Sequence, residues 1–317
     1  MNDFSTHLST EIVDDHRRKS VRCYAGSAAA LCLLALQAAP LEAQLEGMID
    51  LHVHSAPDSI PRSIDAIETA RMARRHGMRA ILFKNHYAPT AAMAYLVSQV
   101  VPGIELYGAI ALNRSVGGVN LAAVEHMTAT TGQLGRLVFM PTFDSEHGHL
   151  TVAENPNHVP VSRDGRLLPE VSEVLDFMAA NDLALATGHS SPAESLLLIR
   201  AANAAGITRI IVTHPASPLV RMSVELQRQA AALGALLEYP LGMALPGAEV
   251  SFEEFAAQIR AVGPDNVVLS TDLGQVGNPV HTDGLVAYLP RLRDAGFTEG
   301  EIDRMTRHNP ARMLGLD

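Results

Sequence analysis

The segment Asp50-Leu51-His52-Val53-His54 places two imidazoles at i and i+2, so on an extended chain both project to one side and can share a metal ion. Four other apolar runs end in residues of related chemistry: Phe83-Lys84-Asn85-His86, Thr187-Gly188-His189, Thr213-His214-Pro215 and Ser270-Thr271-Asp272. A single histidine at a strand end is more often a hydrogen-bonded structural group than a ligand. Joint placement changes that reading. Of 14 histidines, His52, His54, His86, His189 and His214 all stand at such ends, together with one carboxylate, Asp272. Neutral imidazoles with a carboxylate suit Zn²⁺, with Mn²⁺, Fe²⁺ or Ni²⁺ as alternatives. His76, His126 and His308 fall in helical segments and His158 in a long loop, so they read as solvated groups; His147, His149 and His281 are within reach of the site but have no partner that spacing identifies.

Of the 24 basic residues, only Lys19 and Lys84 are lysine. A chain that otherwise uses arginine, yet keeps one lysine in its core, has a use for a primary amine, because a guanidinium can be neither deprotonated nor carboxylated. Lys84 then has three readings: a carbamate bridging two metal ions, a cation for a substrate carboxylate or oxyanion, or half of a buried ion pair.

These residues need a scaffold that brings distant strand ends together. From Gly47 onward, apolar runs recur at Met48–Val53, Arg79–Phe83, Ile104–Leu112, Leu137–Pro141, Leu183–Thr187, Ile207–Thr213, Ala235–Tyr239 and Asn266–Ser270. Continuous Val/Ile/Leu runs without alternation indicate strands buried on both faces, as in a parallel sheet. Helical spacing separates them: Ser63–Gly77, with Ser63 as the expected cap, then Ala91–Val101, Asn120–Thr131, Pro169–Asn181, Pro192–Ala205, Ser223–Leu233, Phe252–Val262 and Val286–Ala295. Such alternation predicts a single-domain α/β fold of the (β/α)8 TIM-barrel type over 44–317, whose active site lies at the C-terminal ends of the strands. The longest connection, Asp144–Leu168, carries a Ser162-Arg163-Asp164-Gly165 turn and reads as a hairpin excursion after the fourth strand.

Residues 1–43 read differently. A basic cluster, Arg17, Arg18, Lys19 and Arg22, precedes an uncharged stretch from Cys23 to Leu41 and then Leu41-Glu42-Ala43, the order of a secretory signal; a helical arm or a misplaced start gives the same pattern. The chain is thus cytoplasmic or exported to the periplasm according to the fate of that segment, and its apolar stretch is too short and Ala-rich for a membrane span. Both cysteines, Cys23 and Cys32, lie there, leaving the body without disulfide or thiolate. The net charge of -10, the 4% aromatic content and the absence of Trp argue against nucleic acid as a partner and leave a small molecule. Nothing in the sequence sets the oligomeric state.

The chain from about Gly47 to its end resembles the amidohydrolase superfamily of metal-dependent hydrolases. The resemblance rests on Asp50-Leu51-His52-Val53-His54, single histidines after the fifth and sixth strands, Asp272 after the eighth, and Asn309-Pro310-Ala311-Arg312-Met313-Leu314-Gly315-Leu316 near the C-terminus. It implies His52, His54 and His189 as ligands, His214 as ligand or substrate-orienting group, and Asp272 as a ligand that also handles the proton. In binuclear members a carboxylated lysine usually follows the fourth strand. Here Pro141-Thr142-Phe143-Asp144 stands in that place and the lysine follows the second strand, so one or two ions remain open. Metal-activated water would then cleave an amide, lactam, lactone or ester, with Lys84, His214 or the Gly117-Gly118 backbone steadying charge and with Lys84, His86 and Asn113 among the groups meeting the substrate. Tyr87, 113–120, the Asp144–Leu168 excursion, Tyr239 and 275–281 are the expected lining. A second reading is a PHP-type phosphoesterase, whose motifs are echoed by Asp50–Ser55, Lys84-Asn85-His86 and Gly103-Ile104-Glu105; a third is a barrel that keeps its fold and has lost activity, serving as a metal-binding or scaffold protein.

Overall fold

A computed structural model describes residues 44–148 and 157–316. The segment 1–43, with its signal-like pattern and both cysteines, and His149 lie outside the described residues. The described residues all belong to one compact unit.

All eight apolar runs form strands, and the strands form one parallel sheet. They are β1 (Ile49–Val53), β2 (Ala80–Phe83), β3 (Glu105–Ala111), β4 (Gly135–Phe139), β7 (Ala184–Ala186), β8 (Ile210–Val212), β9 (Leu236–Pro240) and β10 (Val267–Ser270), paired in that order. The sheet closes on itself just beyond β10: the Asp272 N–H donates to the His52 carbonyl at 2.8 Å, and the His54 N–H to the Leu273 carbonyl at 2.9 Å. A parallel bridge between Val53 and Leu273 completes the seam. The expected hairpin is present as β5 (Ser162–Arg163) and β6 (Arg166–Leu167), joined by Asp164-Gly165. Several strands are shorter than their apolar runs. Leu183–Thr187, for example, pairs only through Ala186, because the chain leaves the ladder at Gly188.

Eight helices cover the outside: α1 (Ala66–Arg75), α2 (Ala91–Val100), α3 (Leu121–Ala129), α4 (Pro169–Ala180), α5 (Pro192–Ala205), α6 (Val224–Ala232), α7 (Phe252–Val262) and α8 (His281–Asp294). Two boundaries differ from expectation. The cap of α1 is Asp65, whose carboxylate accepts from the Glu68 N–H at 2.9 Å, while the Ser63 N–H donates instead to Gly274 across the loop. Helix α8 starts at His281, a turn ahead of the apolar pattern. Gly284 is the reason for its approach: a Cβ there would lie 2.4 Å from Leu273 and 2.8 Å from Leu241, so the helix packs backbone-first onto the barrel rim.

Alternate strand residues fill the barrel. Ile49, Leu51, Ala80, Leu82, Ala109, Leu137, Phe139, Ile211, Leu236 and Val268 pack together inside, and Ala311, Met313 and Leu314 of the C-terminal helix Asn309–Leu314 close the floor. Asn309 secures that helix by donating to the carbonyls of Val267 and Asp265. The other end of the barrel is left to polar groups.

Candidate metal centre

The two histidines of β1 owe their direction to a bulge. Ile49 and Asp50 face Ala80 and Ile81 of β2, but the next pair is Val53 with Phe83, so β1 holds one residue more than its neighbour. Leu51 therefore joins the inner core while the ring of His52 also reaches inward, 5.6 Å between centroids from Phe139. Asp50 holds the bulge closed. Its carboxylate accepts from the N–H of His52 at 3.1 Å, the N–H of Thr271 at 3.0 Å and the Thr271 hydroxyl at 2.6 Å, tying β1 to the end of β10. Burial nevertheless raises its carboxyl to about 6, against the lowering effect of those hydrogen bonds.

At the mouth of this bulge three side chains converge. Oδ1 of Asp272 lies 2.8 Å from His54 Nε2 and 3.3 Å from His52 Nε2, all three residues being buried. Each offers a ligand atom within 4.8 Å of the others, and this is the group of metal-binding geometry among the described residues. His189 and His214 stand beside it, outside that group: their rings are 4.9 Å apart, and His214 lies 6.3 Å from His52 in near-parallel stacking. The Ser217 hydroxyl and Nδ1 of His214, 2.9 Å apart, fix that ring. Backbone conformation contributes as well. Asp272 at φ +50° and His214 at φ +25° occupy the sparsely populated left-handed region immediately after their strands. Gly188, at φ +62°, turns the chain so that His189 faces the same rim; a Cβ there would sit 2.3 Å from the Met140 carbonyl.

Burial disfavours the protonated form of His54, His86, His189 and His214. Burial takes His54 down to about 3, outweighing its bond to Asp272, and burial with neighbouring positive groups holds His86 and His189 well below the ordinary histidine value. His214 is lowered by burial too. Burial alone would raise Asp272, but His52, the hydrogen bond from His54 and Lys84 outweigh it, so this carboxyl stays well below the usual range. Neutral imidazole beside ionised carboxylate is the protonation state a cation requires. The fit extends to unspent valences: His52 Nε2, His54 Nδ1 and His189 Nδ1 are buried without a hydrogen-bond partner.

Glu238 of β9 is the functional residue that spacing did not single out. Its Oε1 accepts from Ser270 at 2.8 Å and lies 2.8 Å from His52 Nδ1, while the His214 N–H donates to Oε2 at 3.3 Å. Burial raises Glu238, yet His52, His214 and Ser270 together bring it below its ordinary value. A carboxylate on Nδ1 leaves Nε2 of His52 as the free donor atom, the usual arrangement behind a metal-bound histidine. The signal was a lone charge inside the apolar run Ala235–Tyr239.

Other expected residues divide. Lys84 is buried with Nζ 3.2 Å from His86 Nδ1, and His86 stacks on Phe143 at 3.8 Å and on His54 at 5.0 Å, so both stand in the ring of imidazoles. Asn113 is not turned to a substrate. Its amide donates to the His86 carbonyl and the Thr142 hydroxyl, and its oxygen accepts from the N–H groups of Thr142 and Asp144, which ties the ends of β3 and β4 together. The Gly117 and Gly118 N–H groups are likewise committed, to the carbonyls of Arg114 and Asn113. Tyr239 faces the helices, with its hydroxyl on Gln227, and lines nothing. His281 is buried at the start of α8, with His76 rather than the site as its electrostatic neighbour. Of the phosphoesterase-like motifs, the third does not reach the rim, because Glu105 opens β3 at the opposite end of the barrel, bonded to Arg79 and Tyr107, and in the second Asn85 donates to the carbonyls of Ser55 and Pro57.

A family model, DUF6282, described as a family of unknown function, matches residues 47–238. The chain belongs to that family. The DUF6282 match takes in His52, His54, Lys84, His86, His189, His214 and Glu238 and ends before Asp272. No curated protein matches the chain. Among solved structures, an organophosphorus hydrolase from Deinococcus radiodurans aligns at TM-score 0.54 with 19% identity, over 86% of this chain and 94% of that one. The putative 2-pyrone-4,6-dicarboxylic acid hydrolase of Pseudomonas putida aligns at TM-score 0.56 with 14% identity over 86% of this chain and 98% of that one. An amidohydrolase from Burkholderia multivorans with bound zinc aligns at 0.56 with 13% identity over 85% and 99%. At these identities the likeness is one of fold, and this DUF6282 chain shares the barrel of amidohydrolase-superfamily proteins.

Proposed function

We propose that the protein is a metal-dependent hydrolase that cleaves an amide, lactam, lactone or ester bond of a small polar substrate. The convergence of His52, His54 and Asp272 on one buried point carries the reading. These three would hold a divalent ion, zinc first among the candidates, with His189 and His214 as further ligands or substrate-orienting groups. The ion, when bound, supplies acidification of water and polarisation of a carbonyl. Asp272, kept ionised and at 8% exposure the most accessible member of the group, accepts a proton at its carboxylate and returns it to the leaving amine or alkoxide. Glu238 holds His52 in one tautomer and one orientation throughout. The bound zinc of the Burkholderia protein and the hydrolase activities for which the other two barrels are named support this choice of chemistry.

The test is metal analysis of the purified protein together with a panel of lactones, lactams, esters and amides. A retained divalent ion and turnover that falls at least a thousandfold in Asp272→Asn is the expected result, as removal of a proton-transfer group commonly costs about 10²–10⁴ in rate. Protein that binds no divalent ion, or turnover untouched in Asp272→Asn, overturns the reading.

A further inference from the structure

Lys84 is the one lysine among the described residues, and its side chain is wholly buried. An ammonium has three N–H donors and no acceptor. Among the described residues, Nζ has hydrogen-bonding contact only with the His86 imidazole, at 3.2 Å from Nδ1 and 3.4 Å from Nε2. One ring cannot accept from three donors. The described ion pairs contain no partner for Lys84, although a buried cation is ordinarily paired. Phe139 places its ring 5.3 Å from Nζ, which favours the positive charge without neutralising it. Arg62, the other cation close enough to act on Lys84, is committed to Asp58 at 2.6 Å. Asp272 and Glu238 act on Lys84 through space and are themselves engaged with His52 and His54.

We propose that Lys84 forms an anion subsite and that the substrate of the hydrolase carries a free carboxylate, bound by Nζ while its scissile group lies at His52, His54 and Asp272. This rests on the hydrolase reading and narrows it to acids: a lactone, lactam, ester or amide that keeps one carboxylate near the bond to be cut. The residue's place supports it. Position 84 follows β2 on the barrel-facing side, two residues beyond Leu82 of the inner core, and its neighbour His86 stacks on His54. A carboxylate at Nζ would fill the open donors and supply the missing counter-charge.

Malonate is the probe, with neutral malonamide as control, titrated calorimetrically into zinc-loaded and chelator-treated wild-type protein and into Lys84→Met and Lys84→Gln. Saturable malonate binding that weakens about tenfold or more in both variants, with zinc content unchanged and no comparable change for malonamide, is the expected result. Equal malonate affinity in wild type and variants, or none in wild type, overturns the proposal. Should neither variant fold, a crystal structure of the wild type with malonate decides it: a carboxylate within hydrogen-bond distance of Nζ supports the subsite, and malonate elsewhere, or a carbamate on Nζ, overturns it. Zinc content is read separately, so loss of the hydrolase reading and loss of the subsite are told apart.

Discussion

Glu238 and Asp50 show how two carboxylates in one site take opposite tasks from their surroundings. Glu238 lies on Nδ1 of His52 and would orient that ring toward the proposed ion; its replacement by Gln keeps the shape but offers Nδ1 a poorer partner. Zinc affinity of Glu238→Gln, measured against a competing chelator, should fall roughly 10–100-fold while the melting temperature of the metal-free protein changes little. Asp50 instead braces the bulge, and its pKa of about 6 against 3.8 has a definite sign. Between those values the folded protein binds more protons than the unfolded chain, so this group's contribution is fully present below 3.8 and is lost as pH rises through about 6. That loss amounts to on the order of 3 kcal/mol. Urea unfolding of metal-free wild type and Asp50→Asn from pH 4 to 7 should show wild type losing stability relative to the variant, and parallel curves would contradict the assignment. The candidate ligands stood out because histidines at strand ends form a pattern. Glu238 did not, since its meaning depends on β9 lying beside β10 and across from β1, which no local spacing reveals.

At the level of elements, the apolar runs gave every strand of the barrel and the order of its helices, because a strand buried on both faces must be apolar throughout. Boundaries were less legible. Asp65 in place of Ser63 and His281 in place of Val286 were both decided by tertiary contacts, the first by the partner that Ser63 finds in Gly274 and the second by the close seat of Gly284. Gly188 offers a direct test of how an element end aims a side chain. Ala at this site must take a left-handed backbone, a cost of roughly 1–3 kcal/mol, and must also displace the carbonyls of Met140 and Pro141. Gly188→Ala should therefore melt lower than Gly206→Ala, where φ is also positive but nothing lies within 4 Å, and it alone should weaken zinc binding through His189.

For the whole molecule, one core and one floor make a body that reads as a single barrel, while the segment before residue 44 follows its own composition. The strand count predicted a closed barrel, but not which groups fasten it. The hoop is fastened between β1 and the residues after β10, and the fastening is made by the main chain of His52, His54, Asp272 and Leu273. The side chains of three of these residues, His52, His54 and Asp272, converge on the proposed ion, so a cation there would act as a latch between parts of the chain 218 residues apart, in a body whose cysteine-free sequence has no covalent alternative. Stripping the ion should then do more than silence catalysis: amide exchange at His54 and Asp272 should quicken before that of the inner strands, and the barrel should come undone first at its own clasp.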